Sequence, residues 1–118
     1  MTVASTVLAV VLAVFFLATG VSKVLAVASM RKRAAHAGFS SSAYRVIGGL
    51  EIAAALGQLG GIRWWPIGAA AGTGLVLLMI GALITHVRTG DGMREWAPAA
   101  ITGLVVIGYL ALLIGGSR

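Results

Sequence analysis

Four long apolar stretches, separated by short polar connections, leave this 118-residue chain few ways to fold. The first runs from Val3 to Ala28 with Lys23 as its one charged residue. The second runs from about Val46 to Ile62, broken by Glu51 and Gln58; the third covers Ile67 to Val87 and the fourth Ala97 to Ile114. Each reaches about 17 residues or more, near the roughly 20 that cross a hydrocarbon layer at 1.5 Å per residue. Membrane β-strands need period-two alternation, which none of the four shows. The expected fold is therefore all-α: an integral membrane bundle of four transmembrane helices. It forms one domain over 1–118, with helices at about 3–28, 44–62, 66–87 and 97–115.

Composition closes the soluble alternative. Apolar residues make up 59% of the chain and charged residues 10%, whereas a soluble domain carries about a quarter of its residues charged. A chain this short has too much surface to hide so much apolar area from water. The net charge of +6 comes from nine basic residues against three acidic ones. Because the bases flank apolar spans, anionic lipid headgroups are their expected partners, and nucleic acid is not. With no cysteine, disulfides, thiol nucleophiles and cysteine-ligated metals are excluded. Ala26-Val27-Ala28 has the form of a signal-peptide cleavage site. The run before it lacks a basic start and is longer than a signal peptide's apolar core, so it is expected to stay as a span.

The connections mark the helix ends. Ser40-Ser41-Ser42 can supply an N-cap, with Tyr44 at the interface. Trp64-Trp65-Pro66 and Trp96-Ala97-Pro98 each join interfacial indole to a proline suited to a helix start. Arg31, Lys32, Arg33 and Arg45 fall in the first connection and Arg88 and Arg94 in the third. The second holds only Arg63, and the tails add Arg118 and the amino terminus. The positive-inside rule then places the first and third connections in the cytoplasm and both termini outside. Segment 29–42 mixes Met30, Ala34, Ala35 and Phe39 with Arg31, Lys32, Arg33 and His36. It reads either as a short amphipathic helix gripping anionic lipid or as a solvated basic loop.

Glycine occurs 17 times, mostly within the spans. In lipid, small residues let helices approach closely. Gly57 and Gly61, like Gly68 and Gly72, have the small-xxx-small spacing, and Gly74 and Gly81 mark another face of the third helix. Two uses stay open: packing within the bundle, or a homodimer.

Ionisable residues inside a span are costly and point to function. Lys23 lies seven residues before Met30, and Glu51 six residues after Arg45. On antiparallel neighbours both sit roughly 9–10 Å below one boundary by helix rise. They can neutralise one another there. One reading makes them a structural ion pair. A second has Lys23 snorkelling beside a protonated Glu51. A third makes Glu51 a binding or proton-handling group. His86, near the same boundary, could extend the pair to a Lys23–Glu51–His86 cluster, and Asp91 is expected to pair with Arg88. Gln58 can bond between helices nearer the opposite side. His36 and His86 without acidic ligands at metal spacing do not make a metal site.

These positions fall in a pattern. Phe16 to Lys23 resembles the F-x-x-x-G-x-x-K ending of the first helix in the DoxX-like family. Tyr44 to Glu51, with Ala54, Ala55 and Gly57, resembles its G-x-x-E second helix. Leu77 to Ala82, then Thr85 to Arg88 and Gly90-Asp91, resembles the end of its third. The resemblance covers nearly the whole chain and departs at Gln58-Leu59, where an apolar pair is the pattern. It implies a four-helix protein of the bacterial cytoplasmic membrane, and the Ala, Gly, Val and Arg-rich composition suits an actinobacterium. It also implies association with redox- or stress-linked membrane complexes.

Three functions are compatible with these residues. The leading one is a non-catalytic subunit or scaffold with redox partner proteins and no cofactor of its own. The second is a site for a small hydrophobic, quinone-like ligand around Glu51 and His86, where a carboxyl and an imidazole can hydrogen-bond a quinone oxygen. The third is a small proton-coupled exporter. In small multidrug exporters the membrane glutamate belongs to the first helix, whereas here the first helix carries Lys23.

Overall fold

The computed structural model describes residues 2–116; Arg118 and the amino-terminal residue, counted above in the tails, lie outside the described residues. Five helices follow one another: α1 Val3–Val24, α2 Ala28–His36, α3 Ser41–Gly60, α4 Trp65–Arg88 and α5 Met93–Gly116. No strand occurs among the described residues. Three helices, α1, α4 and α5, are long and apolar enough to cross a membrane. The fourth expected span, α3, has 20 residues, but Arg45, Glu51, Gln58 and its serines and glycines make it less apolar than the others.

Two helix ends depart most from expectation. The first helix stops at Val24, not Ala28, because Ala26 takes a left-handed φ of 52° and turns the chain. The segment after it is a separate amphipathic helix rather than a loop. Met30 and Ala34 of α2 face inward while Arg31, Lys32 and Arg33 are exposed, the pattern that one polar and one apolar face require. The last helix starts at Met93, four residues before the expected Ala97, so Pro98 lies inside it. Proline lacks the N–H that would bond four residues back. The carbonyl left over is that of Arg94, on an exposed first turn where water can serve it.

Capping follows ordinary chemistry. Ser5 N–H donates to the Thr2 hydroxyl at 3.1 Å, and Thr2 N–H donates to Ser5 Oγ at 3.0 Å, a reciprocal capping box. Ser40 Oγ accepts from Ala43 N–H at 3.0 Å and starts α3. Pro66 sits in the first turn of α4, as expected.

Packing joins α1 to α3 and α4 to α5 most extensively; α3 links the two pairs through α4, and α1 touches α5 to close the ring. The buried stripe of α1 is Ser5, Ala9, Leu12, Ala13, Phe16 and Gly20, a helical period. It meets Ala55 of α3, Leu75 of α4, and Val106, Tyr109 and Leu113 of α5 in one core. Small residues set the helix spacing. A Cβ on Gly61 would lie 2.6 Å from Gly68 Cα, and one on Gly57 would lie 2.8 Å from Ala71 Cβ. These glycines are spent inside the bundle, whereas Gly74 and Gly81 face open space.

Candidate functional site

The site begins where α1 and α3 come closest. Gly20 and Gly48 abut so tightly that the side chains flanking them must meet. Thr19 and Lys23 lie one turn apart on α1, and Tyr44 and Glu51 two turns apart on α3. Lys23 Nζ lies 2.5 Å from Glu51 Oε1, with the two side chains 14% and 3% exposed. The second carboxylate oxygen, Oε2, accepts from the Thr19 hydroxyl at 2.8 Å. The ammonium also lies 5.2 Å from the centre of the Tyr44 ring, in the range of a cation–π contact. Both oxygens of the buried acid are thus engaged, and Lys23 is held between a carboxylate and an aromatic face. A pair satisfied in this way avoids the largest part of the desolvation penalty that an isolated charge would carry.

His86 does not join this pair. Its Nδ1 lies 2.7 Å from Asp91 Oδ2, while His36 Nε2 of α2 lies 2.7 Å from Asp91 Oδ1. Thr89 Oγ1 donates to Asp91 Oδ2 at 2.9 Å. An ionised carboxylate only accepts, so both ring nitrogens present their protons to it. Asp91 is therefore bound to two histidines and not, as expected from the sequence, to Arg88. Its side chain is 8% exposed. Hydrogen bonds from His86, then His36 and Thr89, outweigh the desolvation and hold its carboxyl at about 2, below the usual 3.8. Backbone geometry aims it: Gly90 takes a φ of 74° to end α4, and Asp91 N–H bonds back to the His86 carbonyl at 2.9 Å.

One cavity of about 930 Å³ touches both clusters. Phe15, Phe16, Leu77, Leu78 and Met79 form its apolar wall, and Thr19, Lys23 and Glu51 a polar patch within it. His36, His86 and Asp91 line it too, with Lys32, Arg33 and Arg94. A volume of this order suits a single drug-sized ligand. The other basic residues singled out from the sequence, Arg31 and Arg45, are exposed and outside the lining. A second hollow of about 570 Å³ lies between α3 and α4, lined by small and apolar residues such as Ala53, Gly57, Ala70, Ala71 and Gly74. Among the described residues no group of three or more His, Asp or Glu side chains is placed to hold a metal ion.

Sequence reasoning found Lys23 and Glu51 but missed Thr19, Tyr44, and the joining of His36 to Asp91. Thr19 was within reach, since it precedes Lys23 by four residues on one helix face. The His36–Asp91 contact joins residues 55 apart in sequence, through a helix end and a loop, and carries no periodic signal.

An all-helical chain with three long apolar helices and its charged pair turned inward is a membrane protein. It belongs to the DoxX-like family, whose sequence profile matches residues 7–114. No curated protein and no solved structure matches the chain.

Proposed function

We propose that this protein is a single-domain, multi-pass component of the bacterial cytoplasmic membrane that binds a small hydrophobic molecule, of which a quinone is one example, in the cavity beside Glu51. In this reading α3 is a fourth span. Its buried face carries Glu51 and Gln58, whereas Val46, Leu50, Leu56 and Leu59 are exposed. Polar groups turned inward and apolar ones turned outward are what lipid requires of a span. Arg31, Lys32, Arg33 and Arg45 gather where α2 and the start of α3 meet, the end we assign to the cytoplasm, where Arg31 and Arg45 meet anionic headgroups. Both termini then lie outside.

The observation that carries the reading is the cavity itself: apolar walls around a buried Thr19–Glu51–Lys23 network. A hydrogen-bonding lipophile gains apolar burial from the walls and orientation from the few polar groups. Native mass spectrometry of protein purified in mild detergent is expected to show a retained lipophile, a prenyl-quinone being the first to look for. Ala82→Phe, which adds a ring to the cavity lining and leaves Lys23 and Glu51 unsubstituted, should expel it. A folded protein that carries the same lipophile after this substitution would refute the cavity as its site.

A second reading rests on the α3–α4 hollow, whose alanines and glycines can admit a partner helix. It makes the chain a non-catalytic subunit of a redox- or stress-linked membrane complex. Affinity purification should then yield one stoichiometric membrane partner that Ala70→Leu releases. Recovery of the chain alone, or only as a homodimer, defeats this second reading and leaves the first untouched.

A further inference from the structure

The large cavity is electrically lopsided. Within its apolar part the one lysine, Lys23, is matched by Glu51. Elsewhere the lining holds three more cations: Lys32 and Arg33 from α2, and Arg94 from the first turn of α5. Two acids share that end, Asp91 and Glu95. Asp91 is already engaged by His36, His86 and Thr89. Glu95 alone is left against three cations, and none of the three has a carboxylate within 4.0 Å among the described residues.

Unmatched guanidinium and ammonium groups around an opening with low-dielectric walls concentrate their field on whatever sits in it. Guanidinium also binds carboxylate and phosphate oxygens in pairs. The walls beyond are hydrocarbon and aromatic, from Phe15 and Phe16 of α1 and Leu77, Leu78 and Met79 of α4. A neutral molecule would use the second feature and leave the first unmatched.

We infer that the cavity takes a single-chain amphiphile with an anionic phosphate or carboxylate head, the head held by Lys32, Arg33 and Arg94 and the chain laid against Phe16, Leu78 and Met79. This rests on the ligand-binding reading above and narrows it. One chain rather than two follows from the volume, which is that of one drug-sized ligand. Arg31 and Arg45 mark the contrast: they are basic and exposed, as Lys32, Arg33 and Arg94 are, but do not line the cavity.

The test uses the full chain in nanodiscs of zwitterionic phosphatidylcholine. Two photoreactive probes of equal chain length, a diazirine alkyl phosphate and a diazirine alkyl alcohol, are crosslinked and mapped by peptide mass spectrometry. The phosphate probe is expected to label Phe16, Leu78 and Met79, the less exposed part of the apolar wall, at about tenfold lower concentration than the alcohol, a preference of about 1.4 kcal/mol. The triple variant Lys32→Gln/Arg33→Gln/Arg94→Gln should abolish that margin, and Arg31→Gln/Arg45→Gln should preserve it. Equal labelling by both probes at these residues overturns the anionic head while leaving the cavity reading intact. Labelling of lipid-facing residues alone overturns both. A margin lost equally in the Arg31/Arg45 control assigns the effect to the membrane surface and overturns the inference. Inorganic phosphate competing as well as unlabelled alkyl phosphate overturns the role of the chain. Labelling blocked by phosphatidylglycerol in the nanodisc assigns the site to two-chain bilayer lipid and overturns the single-chain assignment.

Discussion

Gly20 and Gly48 face each other across the α1–α3 contact so closely that a Cβ on Gly48 would lie 2.6 Å from the Gly20 carbonyl oxygen and 2.7 Å from Lys23 Cβ. The same near-contact that excludes a methyl group brings Lys23 onto Glu51. Helix spacing and charge pairing are thus one feature. Gly48→Ala should force α1 away from α3 and lower stability by about 1–3 kcal/mol, the usual penalty for overpacking. Reversible unfolding in mixed micelles measures this. Gly49→Ala, where the added Cβ meets nothing within 4 Å, should leave stability nearly unchanged.

Removing one partner of the ion pair leaves the other buried and unmatched. Glu51→Gln is expected to cost about 3 kcal/mol, at the low end for breaking buried pairs. Replacing both, as Lys23→Met/Glu51→Leu, should recover most of that loss, because the desolvation penalty disappears with the charges. A double-mutant cycle on unfolding free energies reads the coupling. Strictly additive losses would show that the two charges do not interact.

Thr19 donates to the Glu51 oxygen that Lys23 leaves free. Thr19→Val keeps the shape and deletes the donor, so it should cost about 1.5–3 kcal/mol, as for a hydrogen bond to a charged group. Thr19→Ser, which keeps the hydroxyl, should retain most of the stability in the same unfolding assay.

The Asp91 clasp ties α2 to the α4–α5 turn and gives a signed pH dependence. Its carboxyl titrates at about 2 in the fold against 3.8 ordinarily. A depressed folded value means that the contribution is present above the unfolded value and is lost as the proton binds. Protection of the α2 amides, taken as their exchange rate relative to the intrinsic rate at each pH, should therefore fall as the pH drops from about 4 to about 2. Asp91→Asn should already show low α2 protection at neutral pH and no further step in that window.

Gln58 is fully buried, and neither polar atom of its amide has a partner among the described residues; the Tyr109 hydroxyl is in the same condition. An unmatched buried amide is a liability of about 1–3 kcal/mol. Gln58→Leu is expected to stabilise the bundle by about 1 kcal/mol in the same micellar assay. A loss of similar size would reveal an internal water bonded to the amide.

The sequence alone determined that the chain is all-helical and belongs in lipid. Apolar length and period are one-dimensional properties, and a bilayer leaves a backbone with few ways to satisfy its polar groups. It also determined that Lys23 and Glu51 share a depth, since helix rise converts residue counts into distance. Depth says nothing about rotation around a helix axis or about where a turn aims its side chains. Only the tertiary structure decided that His86 turns to Asp91 rather than Glu51, and that Thr19 supplies the missing donor. It likewise decided that a left-handed Ala26 splits the first helix from α2. Those outcomes depend on which helix faces meet, and that is settled by packing among residues far apart in the chain.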